Sequence, residues 1–483
     1  MSSRSELPRS FYWHDYETWG AQPAVDRPAQ FAGLRTDLDF NPIGEPLVIY
    51  AQPADDLLPQ PDACLITGIT PQLARDQGAP EADFFRFIHA ELMQPGTCAL
   101  GYNSIRFDDE VTRYGLYRNF FDPYEREYKN GNSRWDMIDV VRLTRALRPE
   151  GIEWPEKSPG VTSFRLEDLT AANGIEHSGA HDALVDVRAT IEIARLVRAR
   201  QPRLFDYLLR NRDRRVLAQQ LNVQAAQPVL HVSSRYPARL GSIAAVLPLA
   251  LHPRNRNGVI VYDLRIDPAP LLELNAEQVR QLLYTPGSEL ADGAVRIPLK
   301  VVHLNRSPVI VPMSTLTDQA RELWSLDPVA EQRHADALRA APGLADKVAA
   351  VFDDSGRFPP QSDPDRDLYG GFLSDQDRRR CDRIRGLEPA DLAGLQPGFE
   401  AAKLDELLFR YRARNWPSSL SPEERLRWEE YRHSRLKDPN GGGSITLEAY
   451  RRRLSQLAVD STLSERRRQI IDALLDWPAE IGC

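Results

Sequence analysis

The chain has 483 residues, of which 42% are hydrophobic and 27% charged, and at about 100 to 200 residues per domain we expect two to four domains. No apolar run approaches the ~18 residues that span a membrane, and no secretory signal is present, so we expect a cytoplasmic protein without a membrane partner. The net charge of −8 argues against nucleic-acid binding unless the charge is segregated. The four cysteines lack the spacing of a metal site or disulfide framework: Cys64, Cys98, Cys381 and Cys483.

The first 200 residues alternate strand-like and helical patterns, which is typical of an α/β domain. We predict strands over residues 11–18, 45–52 and 97–102, and helices over residues 80–93 and 182–200. From about residue 228 to residue 311, short β-rich runs separated by turn formers predict a small barrel or sandwich. Residues 356–367 predict a linker, and the chain beyond them is charged and helical. The predicted domains therefore comprise residues 1–200, 201–355 and 356–483.

Three acidic residues near predicted strands are candidate metal ligands. Asp15 and Glu17 lie on the first predicted strand, where alternation places their side chains on one face. Two adjacent carboxylates repel each other, and a divalent ion neutralises such a pair most completely. Alternatively, both are solvated acids of an edge strand. Asp108 follows the strand at 97–102 and begins a helix, where the helix dipole alone favours an acidic first turn.

His181 and Asp186 lie at the start of the helix predicted over residues 182–200. Apolar residues recur there at spacings of three and four, which is typical of an amphipathic helix. An imidazole before the helix and a carboxylate inside it can approach one site from neighbouring directions. The imidazole titrates near neutral pH and suits proton transfer, although a histidine is alternatively a surface or satisfied core residue.

The order and spacing of these five residues resemble the DEDD exonuclease superfamily, in its histidine-bearing (DEDDh) branch. The resemblance implies a ligand set for two Mg²⁺ ions, with Mn²⁺ as a substitute, and a general base at His181. The four ligands are Asp15, Glu17, Asp108 and Asp186. The phrase LITGIT, with Leu65 and Thr67, resembles the segment of this branch that binds the 3′-terminal nucleotide. The resemblance implies that Glu17 also contacts this nucleotide. It further implies a substrate contact for Arg165, which lies in the phrase FRLE at the expected place before the last motif.

Phrases along nearly the whole chain resemble the bacterial exodeoxyribonuclease I family, which degrades single-stranded DNA from the 3′ end. They include NFFDPY at 119–124, ANGIEH at 172–177, HPRNRN at 252–257 and YRARNWP at 411–417. The resemblance implies an α/β ribonuclease-H-like exonuclease domain, then an SH3-like β-rich domain and an α-helical C-terminal domain. It also implies stepwise 3′ to 5′ hydrolysis to 5′-mononucleotides, in DNA repair and recombination.

Single strands are held by cations and by aromatic faces on which bases stack. Arginines crowd residues 198–215 and form a basic patch there, although such a patch is alternatively a solvated helix face. Residues at positions similar to the family's DNA path are Arg113, Tyr124, Tyr128, Arg142 and Arg165 in the first domain, and Arg214, Asn257, Tyr284, Lys300 and His303 in the second. The tyrosines are alternatively core residues with satisfied hydroxyls.

The resemblance further implies a protein partner, the single-stranded-DNA-binding protein, whose acidic C-terminal tail would bind Arg148 and Tyr207. Alternatively, these two residues pack where domains meet. Because no heptad stretch indicates dimerisation, we expect a monomer. Two other functions stay open, an RNA 3′-trimming exonuclease of the same branch and a non-catalytic strand-binding scaffold. The scaffold predicts a lost carboxylate, whereas all four acids and His181 are present.

Overall fold

The structure, a computed structural model, describes residues 7–179, 181–286, 289, 296–353, 361–460 and 462–483. Its strands are β1 (Ser10–Thr18), β2 (Pro28–Thr36), β3 (Leu47–Tyr50), β4 (Thr97–Gly101), β5 (Ser133–Asp136), β6 (Glu156–Ser158), β7 (Val161–Thr162), β8 (Val229–Val232), β9 (Ile243–Leu251), β10 (Gly258–Asp263), β11 (Leu299–His303) and β12 (Ile310–Pro312). Its helices are α1 (Pro61–Thr67), α2 (Pro71–Gln77), α3 (Glu81–Leu92), α4 (Asp108–Arg118), α5 (Met137–Leu147), α6 (Leu166–Ala172), α7 (Ala183–Arg200), α8 (Pro202–Arg210), α9 (Arg214–Gln220), α10 (Ala269–Glu273), α11 (Ala276–Tyr284), α12 (Asp318–Leu323), α13 (Pro328–Ala340), α14 (Leu344–Val351), α15 (Asp375–Arg385), α16 (Lys403–Asn415), α17 (Pro422–Lys437), α18 (Leu447–Ala458) and α19 (Glu465–Glu480).

The chain forms two compact units, each assembled from separate segments. The β1 unit comprises the described residues of segments 8–133, 177–191 and 360–483. The β9 unit comprises Leu7 and the described residues of segments 134–176 and 192–359. The first predicted domain contributes to both units, and the bounds of the three predicted domains stay predictions. The domain boundary predicted at 355/356 and the first residues of the predicted linker lie outside the described residues.

The sheet of the β1 unit contains β3, β2, β1 and β4 in that order. β1 pairs antiparallel with β2 and parallel with β4. A parallel pair needs a crossover connection, which here includes α1, α2 and α3. The strands predicted over 11–18, 45–52 and 97–102 and the helices over 80–93 and 182–200 are confirmed, with bounds shifted by a few residues. The pattern did not predict β2, whose Gly33 leaves no room for a Cβ beside the Tyr12 hydroxyl.

Helices from the end of the chain pack on the β1 unit through two apolar cores. In the first core, residues of the N-terminal part of the chain contact residues of α17, α18 and α19: Trp19, Leu57, Leu58, Cys64, Leu436, Tyr450, Leu474 and Trp477. The second core joins α3 and α4 to α15 and α16, with members that include Tyr114, Tyr117, Leu368, Cys381 and Leu404. The C-terminal helices therefore complete the interior of the β1 unit.

Buried ion pairs connect the same two parts of the β1 unit. Asp56 is fully buried, and its carboxylate lies 2.8 Å from Arg414 and 3.3 Å from Arg435. Arg27 lies 3.9 Å from Asp56 and 2.7 Å from Glu81. Although burial opposes ionisation, these arginines hold the pKa of Asp56 below its usual range. Removal of one partner would leave a buried charge uncompensated.

The β9 unit contains an antiparallel sheet with the order β11, β10, β9, β8, β12. Val246, Val261, Val302 and Ile310 of this sheet form a core with Leu217 of α9. The prediction of a β-rich middle region is confirmed. The pattern did not predict α10 and α11, which lie between β10 and β11, or α12 to α14, which follow β12 in the same unit. Among all residues that the structure describes, no helix is long and apolar enough to cross a membrane.

Candidate active site

Asp15 and Glu17 extend from the central strand β1. Glu17 is buried and Asp15 is half-buried, in a strand whose aromatic residues Phe11 and Trp13 are fully enclosed. The backbone N–H of Tyr16, between the two acids, donates to Asp108 Oδ1 at 3.1 Å. This hydrogen bond connects β1 to the first residue of α4, so the three carboxylates belong to one compact group.

Asp108 begins α4, as the sequence predicts, and its side chain is buried. Thr112, one turn later, donates from its hydroxyl to the Asp108 carbonyl at 2.8 Å and lies 2.9 Å from the Tyr16 hydroxyl. The next residue, Asp109, pairs with buried Arg126 at 2.6 Å. The two acids at the start of α4 therefore have different roles. Asp109 forms a structural ion pair, whereas the carboxylate of Asp108 belongs to the site.

The start of α7 brings in His181 and Asp186. His181 has a φ of 69°, in the left-handed region, and is exposed just before the helix. Asp182 caps the helix, because its Oδ1 accepts from the N–H groups of Leu184 and Val185 at 3.1 and 3.2 Å. Ala183 N–H donates to Gln30 Oε1 of β2 at 3.2 Å, which connects the helix start to the sheet. Asp186 follows within the first turn, partly buried.

The three elements bring Glu17, His181 and Asp186 together. One possible ligand atom from each of these residues lies within 4.8 Å of the others. Burial, and then the charges of Asp186 and Asp108, raise the pKa of Glu17 to about 9. Burial and the neighbouring Asp108, Glu17 and Asp186 raise the pKa of Asp15 well above its usual range. The structure thus brings the five predicted catalytic residues into one electrostatic cluster.

These residues fit a divalent cation. Carboxylate oxygens are the ligands that Mg²⁺ prefers in proteins, and an imidazole nitrogen suits several transition metals. The raised pKa values of Asp15 and Glu17 show that like charges are crowded in a partly dry site. A bound cation would reverse this effect, because it favours the ionised form of each carboxylate. The donor set is therefore that of a hard-metal site.

One functional candidate was missed by the sequence patterns. His177 Nε2 lies 2.5 Å from Asp186 Oδ1, and the side chain of His177 is only 6% exposed. Burial raises the pKa of Asp186, while this hydrogen bond opposes the rise. The sequence offered a second histidine four residues before His181, at the end of the phrase ANGIEH, but neither the spacing nor the phrase indicates a contact with Asp186.

The segment expected to contact the 3′-terminal nucleotide lies at the end of α1. Leu65 is half-buried and packs against the core that includes Trp19. The Thr67 hydroxyl accepts from Ile69 N–H at 3.2 Å, just before the chain turns at Gly68 with a φ of 72°. The nucleotide contacts of Leu65 and Thr67 stay predictions.

Arg113, Tyr124 and Tyr128 lie in the β1 unit. Arg113 is buried, with its guanidinium 2.7 Å from Glu127 and 2.8 Å from Glu110. The same guanidinium lies 5.4 Å from the centre of the Tyr124 ring. Tyr128 is 65% exposed. The exposed ring of Tyr128 is available for base stacking, whereas Arg113 supports this surface through buried ion pairs. All three DNA contacts stay predictions.

The remaining predicted DNA contacts lie in the β9 unit. Arg142 is buried against Asp139 at 2.6 Å, and Arg165 is exposed before α6. Arg214 is exposed at the start of α9, and Tyr284 is 53% exposed at the end of α11. Lys300, His303 and Asn257 each contact a neighbouring side chain of the same unit. Lys300 Nζ lies 4.5 Å from the Tyr236 ring centre, Asn255 Nδ2 lies 3.2 Å from His303 Nδ1, and Asn257 N–H donates to Asn255 Oδ1 at 3.0 Å.

Arg148 and Tyr207, the predicted contacts with a protein partner, also lie in the β9 unit. Arg148 ends α5, and its Nη1 donates to the Leu147 carbonyl at 2.5 Å. The Tyr207 hydroxyl, on α8, accepts from Gln220 at 3.0 Å, and burial raises its pKa. Both residues have partners within the unit, and their role in binding a tail stays a prediction.

Family models match almost the whole chain. The model described as an exonuclease matches residues 12–194, and the Exonuclease I SH3-like domain matches residues 212–354. The Exonuclease I C-terminal domain matches residues 362–481. The predicted fold classes, namely an exonuclease domain, an SH3-like β-rich domain and a helical C-terminal domain, are therefore confirmed.

Characterised relatives cover the same length. Exodeoxyribonuclease I of Escherichia coli K12 is 46% identical over 481 residues, which are 100% of both chains. Exodeoxyribonuclease I of Haemophilus influenzae is 43% identical and covers 94% of this chain and 95% of the relative.

Solved structures agree with these matches. A moderately thermophilic exonuclease I from Methylocaldum szegediense has a TM-score of 0.94 at 54% identity, covering 98% of this chain and 100% of that one. E. coli exonuclease I in complex with a dA16 oligonucleotide has a TM-score of 0.93 at 46% identity, covering 98% and 99%. A zinc-bound form of an E. coli complex with single-stranded DNA also has a TM-score of 0.93 at 46% identity, covering 99% and 100%. The chain therefore belongs to the exodeoxyribonuclease I family.

Proposed function

We propose that this chain is a divalent-metal-dependent exonuclease that removes 5′-mononucleotides stepwise from the 3′ end of single-stranded DNA. The observation that carries the proposal is the convergence of Glu17, His181 and Asp186 within 4.8 Å, beside the crowded carboxylates of Asp15 and Asp108. Two structures of one relative support the substrate class and metal binding, because E. coli exonuclease I forms a complex with dA16 and a zinc-bound complex with single-stranded DNA.

The four carboxylates would hold the metal ions, and their four negative charges would balance the charge of two divalent ions. Asp15 and Glu17 from β1, Asp108 from α4 and Asp186 from α7 would bind two Mg²⁺ ions, for which Mn²⁺ substitutes. When bound, such ions stabilise negative charge on the attacking and leaving oxygens of a phosphodiester. Because three separate elements supply the ligands, the folded sheet and both helix starts orient the carboxylates before substrate binds.

His181 acts as the general base. Its exposed position before α7 puts an imidazole at the open side of the carboxylate cluster. A neutral ring nitrogen there accepts the proton of the attacking water and passes it to solvent. The left-handed backbone at His181 orients the side chain in this direction at some conformational cost, which is typical of functional positions.

Other residues bind and orient the strand. Leu65 and Thr67 contact the terminal nucleotide, and Arg165 binds phosphate. The exposed positions of Tyr128, Tyr284 and Arg214 support contacts with bases and phosphates further along. We also propose that the enzyme works as a cytoplasmic monomer in DNA repair and recombination. Its partner there is the single-stranded-DNA-binding protein, whose acidic tail binds near Arg148 and Tyr207.

The test is a time course with 5′-labelled single-stranded DNA, duplex DNA and RNA, in Mg²⁺ or EDTA. Asp186→Asn removes one ligand charge, and Asp472→Asn at an exposed position of α19 is the matched control. We expect a shrinking ladder on single-stranded DNA alone, abolished by EDTA and by Asp186→Asn but not by Asp472→Asn. Preferential trimming of RNA would favour the RNA exonuclease instead. Binding without cleavage in Mg²⁺ and Mn²⁺ would favour the scaffold.

A second variant tests the role of the base. His181→Ala is expected to slow hydrolysis about 10²-fold or more, the usual contribution of general base catalysis, while Mn²⁺ affinity changes little. Metal affinity is measured by Mn²⁺ titration followed by electron paramagnetic resonance. A collapse of Mn²⁺ binding in His181→Ala would identify His181 as a ligand rather than the base.

A further inference from the structure

His177 contacts the site from outside the set of residues that the proposed function uses. Its Nε2 lies 2.5 Å from Asp186 Oδ1, and the exposed fractions of the two side chains are 6% and 18%. With the carboxylate ionised, the imidazole N–H donates this hydrogen bond. A hydrogen bond to an ionised carboxylate is stronger than one between two neutral groups.

The loop before α7 holds the Asp186 carboxylate at more than one point. His177 donates through its side chain, and the backbone N–H of His181 also donates to Asp186. Both donors precede the helix, whereas Asp186 lies within its first turn. The loop therefore limits rotation of the carboxylate about its terminal bond, which is otherwise a soft torsion.

This restraint opposes a repulsion that the site itself creates. Possible ligand atoms of Asp186 and Glu17 lie within 4.8 Å of each other, so two like charges lie close together when both carboxylates are ionised. Without a donor on its other side, the Asp186 carboxylate would gain by rotating away from Glu17 whenever no cation is bound. We infer that His177 is a positioning residue that fixes the Asp186 carboxylate beside Glu17 and His181 in readiness for the divalent cation.

We expect substitution of His177 to lower the affinity for the metal ion more than the rate of hydrolysis at saturating metal. Donors to ligating carboxylates typically contribute about 10- to 100-fold in metal affinity. His177→Leu removes the donor, and His177→Asn shortens the side chain so that its amide no longer reaches Asp186. His177→Gln keeps an N–H group at nearly the same reach and is the conservative rescue. His433→Leu, at an exposed histidine of α17, is the matched control.

The first experiment titrates Mn²⁺ into the full-length wild-type chain and each variant, followed by electron paramagnetic resonance. We expect affinity to fall about 10-fold or more in His177→Leu and His177→Asn, and to stay within a few-fold of wild type in His177→Gln and His433→Leu. Because the inference rests on the proposed metal site, wild type is measured first. Failure of wild type to bind Mn²⁺ overturns that site and the inference with it. Wild-type binding with unchanged affinity in His177→Asn overturns the inference alone.

The second experiment separates positioning from general loss of structure. Hydrolysis of single-stranded DNA is measured against Mg²⁺ concentration, with melting temperature as a folding check. We expect His177→Asn to need about 10-fold more Mg²⁺ for half-maximal rate and to approach the wild-type kcat at saturation, whereas His181→Ala stays slow at every concentration. An equal Mg²⁺ requirement in His177→Gln and His177→Asn would contradict a role for the hydrogen bond.

Discussion

Glu331 is a buried acid that the proposed mechanism does not use. Its side chain lies near the start of α13 in the β9 unit and is 4% exposed. Among the described residues, neither carboxylate oxygen has a hydrogen-bond partner. Burial raises the pKa of Glu331 to about 7, although the charge of Arg321 opposes the rise. We therefore predict that Glu331→Gln stabilises the protein at alkaline pH.

The magnitude follows from the difference in pKa between folded and unfolded states. A carboxyl with a pKa of about 7 when folded, against 4.5 when unfolded, imposes no ionisation cost below about pH 4.5. The cost grows as pH rises to about 7 and is constant above it. At about 1.4 kcal/mol per pKa unit, the full cost is about 3 kcal/mol. Glutamine has nearly the same shape without the charge, so it recovers most of this at pH 8 and little at pH 4.5.

The assay is thermal unfolding by calorimetry of wild type and Glu331→Gln at pH 5 and pH 8. At roughly 2 to 4 °C per kcal/mol for a unit of this size, we expect an increase of about 5 to 10 °C at pH 8 and a much smaller one at pH 5. Glu322→Gln, at an exposed position of α12, is the control and should change little. An equal gain at both pH values, or a loss at pH 8, would refute the reasoning.

Three further predictions concern the β1 unit. Asp56→Asn should lower the free energy of unfolding by about 3 to 5 kcal/mol in urea titrations, because Arg414 and its neighbours lose a buried counter-charge; a neutral result would mean that the network relaxes without cost. At pH 8, Mg²⁺ at a hundredfold excess over its Kd should raise the free energy of unfolding of wild type by about 2.7 kcal/mol, but not that of Asp186→Asn. An equal increase in both proteins would mean that the ion binds at another site. Gly115→Ala should destabilise α4 by about 1 to 3 kcal/mol, since a Cβ there would overlap the Phe85 ring; unchanged melting would show that the ring moves freely.

The sequence predicted the site better than its surroundings. The sequence pointed to Asp15, Glu17, Asp108, His181 and Asp186, which the structure brings together, because each lies on or beside an element with a strong local pattern. The order of these elements carries the family resemblance. β2 was not predicted because its residues are buried throughout and show no alternation. The pairing of Arg113 with Glu127, 14 residues further along, was not predicted. A pattern with periods of two or 3.6 residues carries no information about such pairs.

The buried ion pairs and the hydrogen bond of His177 were not predicted, for the same reason. Both depend on where loops bring side chains together, not on what each residue favours alone. Nothing in the spacing of Asp56 and Arg414, 358 residues apart, indicates that their charges meet at 2.8 Å. His177 likewise contacts Asp186 only because the chain turns between them at His181, with a φ of 69°. Such contacts are properties of the folded chain and leave no mark in the local sequence.

The apolar core shared by Trp19 and the C-terminal helices affects how the protein is made. A ribosome synthesises Asp15 and Glu17 early, but Trp19 is covered only after Trp477 of α19 has been translated. Domains generally fold as units during synthesis, N-terminal part first. Here the unit that contains the carboxylates spans both ends of the sequence. The nascent chain therefore cannot complete this unit until the residues of α19 have been translated, and nuclease activity is delayed at least until then.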